Sequence, residues 1–237
     1  MIARLIRSLA NPEAAPSPWG LRAAIITILV ALVAAIVGTF IALALFPSAS
    51  YALLVGWVLG GTVTVIYVLS NFRHHHDALR TGPTSTRLVL VLLFSIGMAV
   101  LIDTLGLAVT QNFFAALELM PLFGRNPSVI GWLVAAVFML LVQPMSEELV
   151  FRGVFFPVVR HMLGGWLGWL ASGLAYGLFH AFIYTSTNNI WHLFIAPFLV
   201  GLFLSAVRAY TRSTRAAIVA HVGFGLFALL KLLAVPV

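Results

Sequence analysis

Two adjacent carboxylates and an arginine, Glu147, Glu148 and Arg152, stand together in the stretch SEELVFRG within a chain of which only 8% of residues are charged. Further along, His180 closes LAYGLFH and His221 lies in AIVAHVGFG, each inside an apolar run. Carboxylates and imidazoles are the side chains that activate water and carry protons near neutral pH. Glu148 and Arg152 are four residues apart in the favoured acid-before-base direction, so on one helix face they can neutralise each other. Glu147 lies about 100° further round the helix with no cation of its own, which makes it the candidate general base. Tyr176, four residues before His180 and on the same face, can place a phenol against the imidazole or a substrate.

One glutamate with two histidines suits two hydrolytic designs. In the first, Glu147 and His180 activate a water while His221 and backbone donors stabilise an oxyanion. In the second, Glu147, His180 and His221 hold zinc with a water in the open position. The soluble pattern H-E-x-x-H is absent, so the zinc design has no motif behind it and ranks second.

These residues need elements that bring them together, and composition says which. Of the 237 residues 62% are hydrophobic and the mean hydropathy is +1.10, more apolar surface than a soluble domain of this size can bury. The expected fold is all-α, a polytopic transmembrane bundle of about seven helices, with apolar runs near 21–46, 51–70, 88–110, 127–161, 166–183, 190–209 and 214–235. Residues 1–20 read as a cytoplasmic leader and 21–237 as a single transmembrane domain. The first run is far longer than the core of a cleavable signal peptide, and no Cys is present for thiol chemistry. Small-residue packing is expected at Gly56-x-x-x-Gly60, and RHHHD at 73–77 reads as a solvated loop.

Arg4, Arg7, Arg22, Arg73, Arg80, Arg87, Arg160, Arg208, Arg212 and Arg215 fall on one side of these spans, against Arg125 and Lys231 on the other. The positive-inside rule then puts the N-terminus in the cytoplasm of a multi-pass plasma-membrane protein, expected to be bacterial. It also explains the net charge of +7 without a nucleic-acid partner.

Ionisable groups within a membrane cost about 2.5–3.5 kcal/mol each on insertion scales and mark function by default. The set here is Asp103, Glu147, Glu148, Arg152, His180, His192 and His221. The fourth run is too long for a simple span, and Pro144 is expected to kink or break it. Counted inward from Arg160, Glu147 is about 20 Å deep, and His180 is about 21 Å from Trp166, so the two can meet. Counted from Pro127 instead, the boundary falls near Glu148 and they are separated in depth. Asp103 and His192, near the outer ends of their helices, are expected only to touch interfacial water.

The stretch EELVFRG resembles the first motif, E-E-x-x-x-R, of the CAAX protease and bacteriocin-processing (CPBP) group of intramembrane proteases, which includes the type II CAAX prenyl endopeptidase. His180 with Tyr176 is similar to the second motif, in which Phe is usual where Tyr176 stands. His221 is similar to the third, a histidine followed four residues later by Asn or Asp, although this chain has Gly225 there. The three motifs occur in order, the resemblance covers about 128–230, and together they are far more specific than any one of them.

The resemblance implies that Glu147 activates water with help from His180. Glu148 and Arg152 would hold the geometry, and His221 would help stabilise the oxyanion. Gly225 cannot supply the family's side-chain amide or carboxylate, for which Asn188 or Asn189 are possible substitutes. The resemblance leaves a zinc site and a metal-free glutamate mechanism both open. It implies an endopeptidase acting on a peptide or membrane-protein substrate in or beside the lipid bilayer, reached laterally or from the cytoplasmic face. A non-catalytic binding or bacteriocin-immunity protein on the same fold is the alternative, with Gly225 in its favour. A proton-coupled transporter is a third class, but only the fourth run looks broken and no paired repeat accompanies it.

Overall fold

The computed structural model describes residues 2–12, 16–112, 116–122, 128–183 and 189–234. Among them seven helices are long and apolar enough to cross a membrane. An N-terminal helix, Ile2–Ala10 (α1), precedes them. The spans are Leu21–Leu45 (α2), Ala52–Asn71 (α3), Leu88–Thr110 (α4), Val129–Leu163 (α5), Gly165–Ile183 (α6), Trp191–Thr211 (α7) and Thr214–Ala234 (α8). The chain is a multi-pass integral membrane protein. Large apolar side chains such as Leu29, Val33 and Phe40 on α2 and Val89, Leu93 and Phe94 on α4 point outward, as a lipid-facing surface requires. Arg125, placed by the sequence on the side away from the other arginines, lies outside the described residues.

α2 and α3 form a close hairpin. A side chain at Gly56 would run into the backbone of Thr39, and one at Gly60 into that of Ala34 and Ala35, so the expected small-residue seam is present. The RHHHD stretch is exposed, as read, but it is wound as a 3-10 turn, Arg73–His75, that runs into a helical turn, His76–Leu79, instead of a loop. Six arginines, Arg4, Arg7, Arg80, Arg160, Arg208 and Arg212, line one cavity of about 290 Å³. That end of the bundle is tied together by Thr214 N–H donating to the Arg80 carbonyl at 2.9 Å and by the Arg160 guanidinium donating to the carbonyls of Ser8 and Asn11. α1 belongs to the same end, with Leu9 buried against Phe156 and Ala209.

α5 is the axis. Residues 146–160 are all buried, a helix enclosed on every side. It does not break at Pro144. It runs continuously for 35 residues because two segments, Phe138–Val142 and Leu149–Phe155, are wound as π-helix, with Gln143 N–H reaching Phe138 and Phe156 N–H reaching Phe151. Pro144 and Pro157 each stand just after such a segment, as does Pro197 after Trp191–Ile195 in α7. A proline ring in regular α-helix clashes with the carbonyl four residues back and leaves it without a donor. The wider winding moves that carbonyl aside, so the helix continues through each proline.

Candidate active site

Gln143–Glu148 is a short regular stretch between the two π segments of α5, and its spacing decides what faces what. Gln143 and Glu147 are four apart and share a face, and Gln143 Nε2 donates to Glu147 Oε1 at 3.2 Å. Glu148 looks elsewhere. Its Oε1 accepts from Arg152 at 3.0 Å, with both side chains fully buried. Arg152 also donates to the Gly201 carbonyl on α7 at 2.7 Å, and its guanidinium lies 4.5 Å from the centroid of the Tyr176 ring. The same Glu148 Oε1 is 3.0 Å from His221 Nδ1 on α8. Because the carboxylate accepts, Nδ1 carries the proton and Nε2 is turned toward Glu147.

The structure brings together all six residues singled out by the sequence. Tyr176 OH donates to Glu147 Oε2 at 2.7 Å. His180 Nε2 stands 3.7 Å and His221 Nε2 4.0 Å from that same oxygen. His180 Nδ1 is 3.1 Å from the Tyr176 carbonyl one turn earlier in α6, and the Tyr176 ring packs 4.3 Å from the imidazole. Glu147 and His180 therefore meet, which excludes the depth counting that separated them. Glu147 is not the partnerless carboxylate that the spacing suggested. It has no cation four residues away, yet Tyr176 and Gln143 each give it a hydrogen bond, and such donors compensate the burial of a polar group.

Tyr176, His180 and His221 line a cavity of about 160 Å³ with Glu118, Gln143 and Gly225. Glu147 itself borders a second, smaller cavity of about 30 Å³, although its Oε2 is the atom on which three residues of the larger cavity converge. The larger cavity continues to Asp103, His192 and Lys231, with Lys231 donating to Asp103. Asp103 and His192 thus line the site cavity, contrary to the expectation that they merely touch interfacial water. The cavity extends toward the helix ends away from the arginines, not toward the arginine-rich end, which was one of the two expected routes, the other being lateral entry.

Two members escaped the sequence reading. Gln143 carried a legible signal, one turn before Glu147 in the same helix. Glu118 carried almost none, since it sits between spans on a short turn, Leu117–Leu119. Its Oε1 accepts from Gln143 at 3.0 Å and lies 3.6 Å from His180 Nε2. Burial pushes the Glu118 carboxyl up, but the hydrogen bond and charge of His180, with the amide of Gln143, outweigh it and hold the group below the usual glutamate range.

The departure at Gly225 has a local cause. A side chain there would collide with the Met139 carbonyl in the first π segment of α5. Asn189 is not among the residues that line the cavity; its Oδ1 accepts from the Trp191 N–H at the start of α7. Asn188 lies outside the described residues.

Zinc donors about 2.0–2.1 Å from a tetrahedral ion stand about 3.4 Å from one another. The separations at Glu147 are 3.7 and 4.0 Å, and its Oε2 already accepts from Tyr176. Among the described residues no group of three His, Asp or Glu is arranged to hold a metal ion. What the arrangement can do as it stands is hold a polar molecule between one carboxylate oxygen and two imidazoles.

No curated protein and no solved structure matches the chain. Residues 129–227 match the family model described as Type II CAAX prenyl endopeptidase Rce1-like. That stretch begins with α5 and contains Glu147, Tyr176, His180, His221 and Gly225, in agreement with the CPBP resemblance of the three motifs. Over residues 129–227, then, this membrane protein is similar to the type II CAAX prenyl endopeptidase Rce1-like family.

Proposed function

We propose that the chain is an intramembrane endopeptidase in which Glu147 takes a proton from a water that attacks a peptide carbonyl. The observation that carries this reading is the spacing around Glu147 Oε2, with His180 Nε2 at 3.7 Å and His221 Nε2 at 4.0 Å. Both gaps exceed hydrogen-bonding reach, yet a single water about 2.8 Å from each atom closes either one. The larger cavity beside them gives a peptide segment somewhere to lie.

In the proposed reaction the water oxygen adds to the carbonyl carbon as Glu147 takes a proton. The charge that develops on the carbonyl oxygen faces His221, which as an imidazolium donates to it from Nε2 while Nδ1–H stays on Glu148. The C–N bond then breaks, and the proton passes to the leaving amine with His180 assisting. Tyr176 holds Glu147 in place, and Glu148 with Arg152 holds His221. The similarity to the Rce1-like family supports a protease at the family level. The lipid bilayer and a peptide or membrane-protein substrate are the partners this chemistry requires. The shared arginine end supports a cytoplasmic N-terminus by the positive-inside rule.

One observation favours the alternative of a non-catalytic binding or immunity protein: Gly225 contributes no side chain, and Met139 leaves no room for one. Comparing protein N-termini in membranes of cells expressing the wild-type chain or Glu147→Gln, at equal folded amounts, separates the two readings. New N-termini in the wild type alone are expected. Identical sets would make Glu147 structural and hand the function to the alternative.

A further inference from the structure

Glu118 has no place in the reaction as drawn so far, yet it is a buried carboxylate at the wall of the site cavity. A buried carboxylate is expensive unless it is paired and hydrogen-bonded. We infer that Glu118 is a positioning residue of this site, orienting the His180 imidazole from the side opposite Tyr176 and, through Gln143, fixing the Glu147 carboxylate.

The turn that carries Glu118 is built in. Leu119 N–H donates to the Ala116 carbonyl and Leu122 N–H to the Leu119 carbonyl, both at 2.9 Å. Leu119 and Leu122 are wholly buried in a cluster with Leu54, Trp57, Phe138 and Met139. The last two belong to the π segment immediately before Gln143. The anchor of the turn and the first winding of the site helix are therefore one packed unit, and Glu118 enters the site between them.

A single amide then spans two carboxylates. Gln143 Nε2 is 3.0 Å from Glu118 Oε1 and 3.2 Å from Glu147 Oε1, so neither acid can move far without losing a donor. His180 is held similarly. Its Nδ1 faces the Tyr176 carbonyl at 3.1 Å, while its Nε2 lies between Glu118 Oε1 at 3.6 Å and Glu147 Oε2 at 3.7 Å. Without Glu118, Nε2 keeps Glu147 Oε2 but loses the negative charge on its other side, so the ring is held less firmly in its present orientation. Outer carboxylates that fix a metal-ligating histidine are worth about 10- to 100-fold in affinity or activity, and a comparable loss is expected where the histidine works on water instead.

The inference rests on the water-activating reading of Glu147 and His180, so its test needs one readout that does not depend on cleavage. In the full chain, purified in detergent with ¹⁵N-labelled histidine, the ring-nitrogen shifts of His180 are compared between wild type and Glu118→Gln at one pH. The resonances are assigned with His180→Gln. In membranes, the yield of Glu147-dependent N-termini is compared for the same pair. The expected result is a changed His180 ring signature together with about a 10- to 100-fold lower yield per folded molecule. If Glu118→Gln does not accumulate, Glu118→Asp, which keeps the charge but withdraws it by one methylene, takes its place with the same expected directions. Unchanged ring shifts, or changed shifts with full cleavage, overturn the positioning role and leave the protease reading intact. A wild type that produces no Glu147-dependent N-termini sinks the protease reading instead, and the role of Glu118 in the reaction falls with it even where the ring shifts report the contact.

Discussion

The carbonyl of Met139 occupies the space that a side chain at Gly225 would need. That carbonyl belongs to the π-wound segment that lets α5 pass Pro144 unbroken, so the missing amide and the unbroken helix share one local geometry. Gly225→Asn is accordingly expected to destabilise the chain by about 1–3 kcal/mol, as overpacking a filled interior does. Thermal unfolding in detergent reads this directly, and an Asn variant as stable as wild type would show that α5 can move aside.

Glu148 and Arg152 form a buried pair whose separation should be costly. Arg152→Met alone leaves an uncompensated buried carboxylate and is expected to cost about 3–5 kcal/mol, whereas Glu148→Leu combined with Arg152→Met should recover much of that loss. The double variant should stay inactive, because His221 Nδ1 has lost its acceptor. Folded yield and N-terminal profiling together test the pair, and an active double variant would remove Glu148 from the support of His221.

Tyr176→Phe deletes the 2.7 Å hydrogen bond to Glu147 Oε2 while keeping the ring against His180. A buried acceptor stripped of a donor costs about 1–3 kcal/mol, so the variant should unfold at lower temperature. Cleavage should fall with it if the phenol orients Glu147. A variant that cleaves at the wild-type rate would leave Tyr176 a packing residue.

The low-lying Glu118 carboxyl has a definite sign in the pH dependence of stability. Its folded value lies below its unfolded one, so its contribution is fully present above the ordinary glutamate range and is lost as pH falls through the folded value. Melting temperatures measured in detergent on acidification should therefore drop more steeply for wild type than for Glu118→Gln. Parallel curves would mean that the carboxylate gains nothing from His180 and Gln143.

The donor separations around Glu147 also predict the response to metal removal. Treating active membranes with a strong chelator should leave the set of Glu147-dependent N-termini unchanged. A loss that zinc restores would instead show Glu147, His180 and His221 closing on an ion.

Seven spans, the shared arginine end and six of the gathered site residues were legible in the sequence, because each rests on local regularities. Long apolar runs cross membranes, arginines collect at one end, and residues four apart share a helix face. Glu148 with Arg152 and Tyr176 with His180 were readable for that reason, and Gln143 before Glu147 would have been by the same rule. Tertiary structure alone decided that Glu147, His180 and His221 meet, since that depends on how three helices are staggered, and depth counting from the two ends of α5 gave opposite answers. It also decided that α5 passes Pro144, because π winding is set by packing along the whole helix and leaves no periodic mark. Glu118 shows the limit most clearly: a single acid between two spans reaches the site only because Leu119 and Leu122 are buried beside it, and burial of a turn against distant helices is a property of the assembled bundle.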